Sequence, residues 1–214
     1  MEATGADSGE RAGPVGFDLD LTLIDSRPAI LTAWERVAGE TGVPIDLAAV
    51  DARLGITLEA EAAYWFPPDE LAAAAATYRR HYIPLAATHT AALPGAAQAL
   101  AAVRAGGSEP VIITAKHPVS VGPSLTAAGL AAPEIYAHVH GPEKAAVLAR
   151  IGAAAYVGDA LSDMAAARSV GVHAVGVPTG SFSVTELTSA GAHVVLESLA
   201  DFPAWYADFR RDRA

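Results

Sequence analysis

Pro14–Ser26 reads P-V-G-F-D-L-D-L-T-L-I-D-S, and the fold turns on how this stretch is interpreted. The apolar run Val15 to Phe17 delivers Asp18, then Asp20 two residues on, then Thr22 two further. Side chains at i and i+2 of a strand share a face, so an extended Asp18-Leu19-Asp20 points both carboxylates the same way. Two like charges about 4 Å apart repel by roughly 4 kcal/mol at an effective dielectric near 20, so folding them together calls for a divalent cation or a lysine. Taken alone, the stretch also reads as an Asp-rich turn at a strand end.

Two later segments have the same form, an apolar strand running into polar residues. Glu109–Thr114 is a buried strand followed by Ala115-Lys116, and Ala154–Val157 leads into Gly158-Asp159-Ala-Leu-Ser-Asp163. Lys144 opens the helix before the last of these strands. Around them the chain alternates helix and strand. Helices are expected over 96–105, 119–128, 142–151 and 162–170, and strands over 134–139, 172–177 and 193–196, with an aromatic tail at Phe202, Trp205, Tyr206 and Phe209. Alternation of this kind points to an α/β fold with a Rossmann-like parallel sheet. In such sheets ligands bind beyond the carboxyl ends of the strands. Four acidic groups, a hydroxyl and a lysine are thereby directed to one place. Hard oxygen ligands suit Mg²⁺, and a hydroxyl with an ammonium suits a phosphate.

Residues 27–92 have a different rhythm. Ile30, Leu31, Trp34, Val37 and Ala38 form one helical stripe, 47–54 and 59–65 read as short helices around Gly55, and Asp69–Tyr82 as an alanine-rich helix stopped by Pro84. The whole stretch reads as helical with no strand, a helical cap inserted after the first strand. The expected division is therefore a core of 14–26 and 93–214, a cap of 27–92, and a flexible tail of 1–13.

Composition narrows the function. The 214 residues are 52% hydrophobic and 18% charged, enough for a sizeable core. A formal net charge of −10 argues against nucleic acid or an anionic membrane as partner, because both demand basic surface. No apolar run reaches the roughly 18 residues of a membrane span. The first 13 residues lack the basic and apolar regions of a signal peptide, so a cytoplasmic protein is expected. The absence of cysteine excludes disulfides and thiolate chemistry. Nothing in the chain separates a monomer from a homodimer.

The motifs D-x-D-x-T, a strand-ending threonine, a lone lysine and G-D-x-x-x-D, in that order, resemble those of the haloacid dehalogenase-like (HAD) superfamily. The flanking D-S, L-P-G, T-A-K and V-G-D-A-L-S-D-M are similar to the phosphoglycolate phosphatase-like branch, and the likeness runs from about Pro14 to Leu199. The resemblance implies a Mg²⁺-dependent phosphatase of a small phosphorylated metabolite, working through an aspartyl phosphate. Asp18 would be the nucleophile and Asp20 the general acid and base. Thr114, Ala115 and Thr22 would meet the phosphate, with Lys144 neutralising charge. Asp18, the Asp20 carbonyl and Asp159 would hold the metal, with Asp163 behind them. One departure is that motif three reads Gly141-Pro142-Glu143-Lys144 rather than K-P-x-P, and Lys116, the only other lysine, competes for the role.

The cap residues are read more softly. Gly55 occupies the place of a substrate-specificity loop, where glycine permits close backbone approach, and it reads equally as a plain turn. Arg27 is taken as a solvated hinge residue, Arg79, Arg80 and His81 as an exposed face, and Tyr64, Trp65 and Phe66 as cap core. His117 and His173 read as structural. A phosphomutase of the same fold would retain every core residue, and a non-catalytic phosphate-binding regulator on the same core is the rival of a different class.

Overall fold

The computed structural model describes residues 13–131 and 134–213, so all of the expected tail except Gly13 lies outside the described residues. Gly13 itself is anchored, its carbonyl accepting a hydrogen bond from Ser108 Oγ at 2.7 Å. A six-stranded parallel sheet is built from β1 (Val15–Phe17), β4 (Pro110–Thr114), β5 (Glu134–Ala137), β6 (Ala155–Gly158), β7 (His173–Gly176) and β8 (Val194–Val195). Their order across the sheet is β5-β4-β1-β6-β7-β8, every neighbouring pair parallel. The strand order reverses direction at β1, and the crevice this creates lies where β1, β4 and β6 end, the switch point of an open α/β sheet.

Alternation along the strands sends side chains to two cores. Val15, Phe17, Ile112, Ala155, Val157 and Val175 face a cluster closed by α5 (Ala96–Ala105), α6 (Pro118–Ala127) and α10 (Phe202–Arg211). Val111, Ile113, Tyr156 and Ala174 face another, closed by α7 (Pro142–Arg150), α8 (Leu161–Ser169) and α9 (Val184–Ser189). Between Val15 and Phe17, Gly16 makes room: a methyl there would stand 2.8 Å from the Tyr156 ring.

The helices of residues 27–86 gather around an apolar cluster of their own. α1 (Arg27–Thr41) and α4 (Leu71–Ala86) supply Ala33, Trp34, Tyr78 and Tyr82, and α2 (Leu47–Ala52) and α3 (Leu58–Ala62) supply Val50 and Ala62. Trp34 packs on Tyr78 at 4.9 Å between ring centroids, and Tyr78 stacks on Tyr82 at 5.5 Å.

Three expectations need correcting. The inserted stretch is not free of strand: β2 (Ile24–Asp25) pairs antiparallel with β3 (Ala91–Ala92), a short ribbon where the chain leaves the sheet and returns. Pro84 does not stop the fourth helix. Its ring faces solvent while Leu85 and Ala86 beyond it are buried, so burial outweighs the missing amide. Tyr64 is not cap core but 62% exposed, with the Arg53 guanidinium 4.0 Å above its ring. The aromatic tail is helical, and α9, which no apolar period announces, starts on Ser183 with a Ser183–Glu186 capping box.

Candidate active site

β1 ends in a tight turn that carries the first motif. Leu19 accepts backbone hydrogen bonds from Thr22, Leu23 and Ile24, and Leu21 adopts a left-handed φ of 59°, an uncommon conformation for a branched residue. This turn lifts Asp18 and Asp20 to the crevice, where β4 brings Thr114 and Ala115 and β6 brings Asp159. A cavity of about 520 Å³ opens there, lined by Asp18, Asp20, Thr114, Ala115, Lys144, Asp159 and, from the inserted helices, Gly55. Gly55 has φ +105° and faces the core loop at Ala160 and Phe182.

Lys144 organises one half of the site. Its Nζ lies 2.7 Å from Asp163 Oδ1 and 3.2 Å from Asp18 Oδ1. The ammonium is held well above the usual lysine range, because Asp163 and Asp18 outweigh the burial that works against its charge. Asp163 is fully buried, its other oxygen accepting from the Ala160 amide at 3.2 Å. It also fits only because position 158 is glycine, since a Cβ there would lie 2.3 Å from Asp163 Oδ2.

Lys116 belongs to the other half. It reaches Asp20 Oδ1 at 2.6 Å and hydrogen-bonds the Tyr82 hydroxyl of α4. The two lysines are thus divided between the two aspartates of the first motif. Thr114, 1% exposed, accepts from the Lys116 amide at 3.1 Å, which fixes its hydroxyl at the cavity wall.

Thr22 stands apart from the cavity. It is fully buried, and its hydroxyl donates to Asp159 Oδ1 at 2.8 Å, so its polar group meets a carboxylate. Gly180 closes on Asp159 from the other side, where a Cβ would come within 2.0 Å of Oδ2.

The residues fit a divalent cation. Asp18, Asp159 and Asp163 each offer an oxygen, all within 4.8 Å of one another, and Asp20's carboxylate is absent from the cluster because Lys116 holds it. Burial pushes Asp18 up to about 7 despite Lys144, and burial together with Asp163 and Asp18 pushes Asp159 well up. One lysine leaves these carboxylates under-compensated, and a hard cation would supply the missing charge.

Several groups here carry no local sequence signal. Tyr82 sits 34 positions from Lys116, and Thr22 sits 137 from Asp159, so neither pairing has a local pattern. Arg27 pairs with Asp51 at 2.8 Å, Arg79 with Glu59 at 2.6 Å, and Arg80 and His81 with Glu40, so the expected solvated faces are ion-paired. His117 caps α6, its ring nitrogen accepting from Val119 N. His173 stacks on His193 at 4.3 Å.

Comparison with known proteins agrees with this geometry. The chain is 28% identical over 207 residues to "Probable phosphatase IndB" of Dickeya dadantii, covering 86% of this chain and 89% of that one. It is 29% identical over 213 residues to the phosphoglycolate phosphatase of Caulobacter vibrioides, covering 88% of each. Among solved structures, the haloacid dehalogenase-like hydrolase SP0104 of Streptococcus pneumoniae superposes with a TM-score of 0.81 at 21% identity, covering 92% of this chain and 99% of that one, and so shares the fold. The family model described as haloacid dehalogenase-like hydrolase matches residues 15–168, and a HAD-hydrolase-like model matches 137–202; the chain belongs to the haloacid dehalogenase-like hydrolase family.

Proposed function

We propose that this hydrolase is a Mg²⁺-dependent phosphatase of a small phosphorylated metabolite. The observation that carries the reading is Lys144, 3.2 Å from Asp18 and 2.7 Å from Asp163 at the end of a parallel sheet, a nucleophile beside a buried cation. Asp18 attacks phosphorus and forms an aspartyl phosphate, while Thr114, the amide at Ala115 and Lys144 hold the phosphoryl oxygens. Asp20, across the cavity, gives its proton to the departing alkoxide and afterwards takes one from the water that cleaves the acyl phosphate. Asp18, Asp159 and the Asp20 carbonyl would hold Mg²⁺, which when bound neutralises charge on the phosphoryl group, with Asp163 steadying the set through Lys144. Residues 27–92 act as the cap over a core of 14–26 and 93–214, excluding water while the ester is broken.

The two curated relatives, both named as phosphatases, support this reading, and 2-phosphoglycolate is the first ester to try because of the Caulobacter protein's name. The test is phosphate release by the wild type and Asp18→Asn, with Mg²⁺ or EDTA. Asparagine keeps the shape and removes the nucleophile. Release that needs Mg²⁺ and vanishes in the variant supports the mechanism, and equal release by both proteins sinks the assignment of Asp18.

A further inference from the structure

A second chamber opens off the catalytic cavity beyond Asp20, between the inserted helices and the core. It has a volume of about 160 Å³, opens to the larger cavity, and shares Asp20, Ile30, Ile56, Thr57, Ala115 and His140 with it. A phosphoryl group held between Asp18 and Lys144 turns its ester oxygen to Asp20, so the rest of the molecule continues into this chamber. We infer that the chamber receives the leaving alcohol, and that this alcohol is uncharged, largely apolar and about the size of a six-membered ring. The inference rests on the phosphatase reading and narrows its substrate class.

Size comes from the volume: a cavity of about 150 Å³ accommodates benzene. Polarity comes from the walls. Ile30, Ile56, Leu58, Tyr78, Tyr82 and Ile83 make an apolar lining, with Tyr78 and Tyr82 stacked 5.5 Å apart. Charge comes from how the ionised groups are already used. The chamber is lined by two cations and two carboxylates, and each cation is bound to one of those carboxylates, Lys116 to Asp20 at 2.6 Å and Arg79 to Glu59 at 2.6 Å. A carboxylate on the leaving group would therefore enter beside Asp20 and Glu59, where both cations are already engaged, Lys116 by Asp20 and the Tyr82 hydroxyl and Arg79 by Glu59, and the apolar wall offers it no polar partner. The imidazoles at the mouth do not alter this. Burial and the neighbouring His138 lower the pKa of His140, and His117 uses a ring nitrogen to cap α6. They offer hydrogen bonds and flat ring edges, with His138 standing edge-on to both at 5.9 and 5.0 Å, which suits a hydroxyl or a ring.

Two measurements on the full chain with Mg²⁺ test the assignment. The first is kcat/KM for benzyl phosphate against 2-phosphoglycolate. The second is calorimetric binding of the same two esters to the Asp18→Asn protein, which does not require turnover. Benzyl phosphate is expected to exceed 2-phosphoglycolate about tenfold or more in both. Ile83→Lys, which adds an unpaired ammonium, should swing the ratio towards 2-phosphoglycolate by a similar factor, and Glu59→Gln, which frees Arg79, should move it the same way by less. Binding of 2-phosphoglycolate as tight as or tighter than that of benzyl phosphate overturns the inference. Preferential binding of benzyl phosphate without phosphate release from any ester would sink the phosphatase reading and still uphold the chamber's preference.

Discussion

The two lysines of this chain do the same electrostatic task in different mechanical settings. Lys144 lies wholly within the core: its partners Asp18 and Asp163 stand on segments that follow β1 and β6, adjacent strands of one sheet. Lys116 spans a joint, for Asp20 belongs to the core whereas Tyr82 belongs to α4 of the inserted helices. The first arrangement is pre-organised by sheet packing and is present whatever the inserted helices do. In the second, the Lys116–Asp20 pair also joins segments that follow adjacent strands, β4 and β1, and only the link to Tyr82 depends on α4 staying against the core. On the proposed mechanism, the nucleophile would be held within the core alone, whereas the acid–base group would be tied through Lys116 to α4 as well, so that closure would bear on proton transfer more than on attack.

The largest effect should come from breaking the rigid half. Lys144→Met removes the cation from between two buried carboxylates, and kcat is expected to fall by at least about 10³-fold. Stability should drop too, by about 3 kcal/mol, because breaking a buried pair strands the remaining charges. Adding Asp163→Asn to that variant should recover much of the Tm and none of the activity. A variant that melts as the wild type does would mean that Lys144 is not the counter-charge of this cluster.

Breaking the jointed half should cost less and should depend on the ester. Lys116→Met releases Asp20 from its anchor, and kcat on an alkyl phosphate is expected to fall about 10²-fold. On 4-nitrophenyl phosphate, whose leaving group needs no proton, the fall should be within a few-fold. Tyr82→Phe, which removes only the link to α4, should lie between the wild type and Lys116→Met in the same ordering of esters. Uniform losses across esters would make Lys116 a phosphate ligand rather than the holder of Asp20.

A smaller effect should follow from crowding Asp159. Gly180→Ala places a methyl against Oδ2, where only 2.0 Å separates the two positions, and the carboxylate must turn away or the loop must shift. The Mg²⁺ concentration for half-maximal activity is expected to rise about tenfold, with kcat largely restored at saturating metal. Thr22→Val, which removes the hydroxyl that orients Asp159 at 2.8 Å, should act in the same direction. An unchanged metal requirement in both would remove Asp159 from the cation site.

What could be read from the chain follows the same division. The ends of β1, β4 and β6 were legible because each is an apolar run breaking into polar residues, and parallel topology brings such ends together without further information. The Lys116–Tyr82 link was not, since α4 reads as an alanine-rich helix and nothing in its own pattern says which face meets the core. Pro84 misled for a related reason: helix propensity is local, whereas the burial of Leu85 and Ala86 is tertiary. The β2–β3 ribbon has two residues in each strand, too few for any period to appear. The start of α9 was there to be read, because Ser183-Val-Thr-Glu186 is a capping box by spacing alone.

The smallest expected effect lies far from both lysines and so serves as their control. His173 stacks between His193 and the aromatic rings of α10, 4.3 Å from His193 and 4.9 Å from Phe209, and burial, reinforced by His193 and nearby arginines, lowers its pKa to about 4. An unfolded histidine titrates near 6.5, so between about pH 6.5 and 4 the unfolded chain binds a proton that the folded chain refuses. The stability this ring contributes is therefore present above about pH 6.5 and is lost as the pH falls towards 4. Its half-buried position screens the effect to about 1 kcal/mol, or roughly 2–4 °C in Tm for a chain of this size. His173→Phe keeps the stack and has nothing to protonate, so its Tm should decline less steeply from pH 7 to pH 5 while its kcat/KM stays with the wild type. If the substitution instead changed kcat/KM, the edge of the sheet at β7 would be coupled to the catalytic crevice, and the division between a rigid half and a jointed half would have to be redrawn to include it.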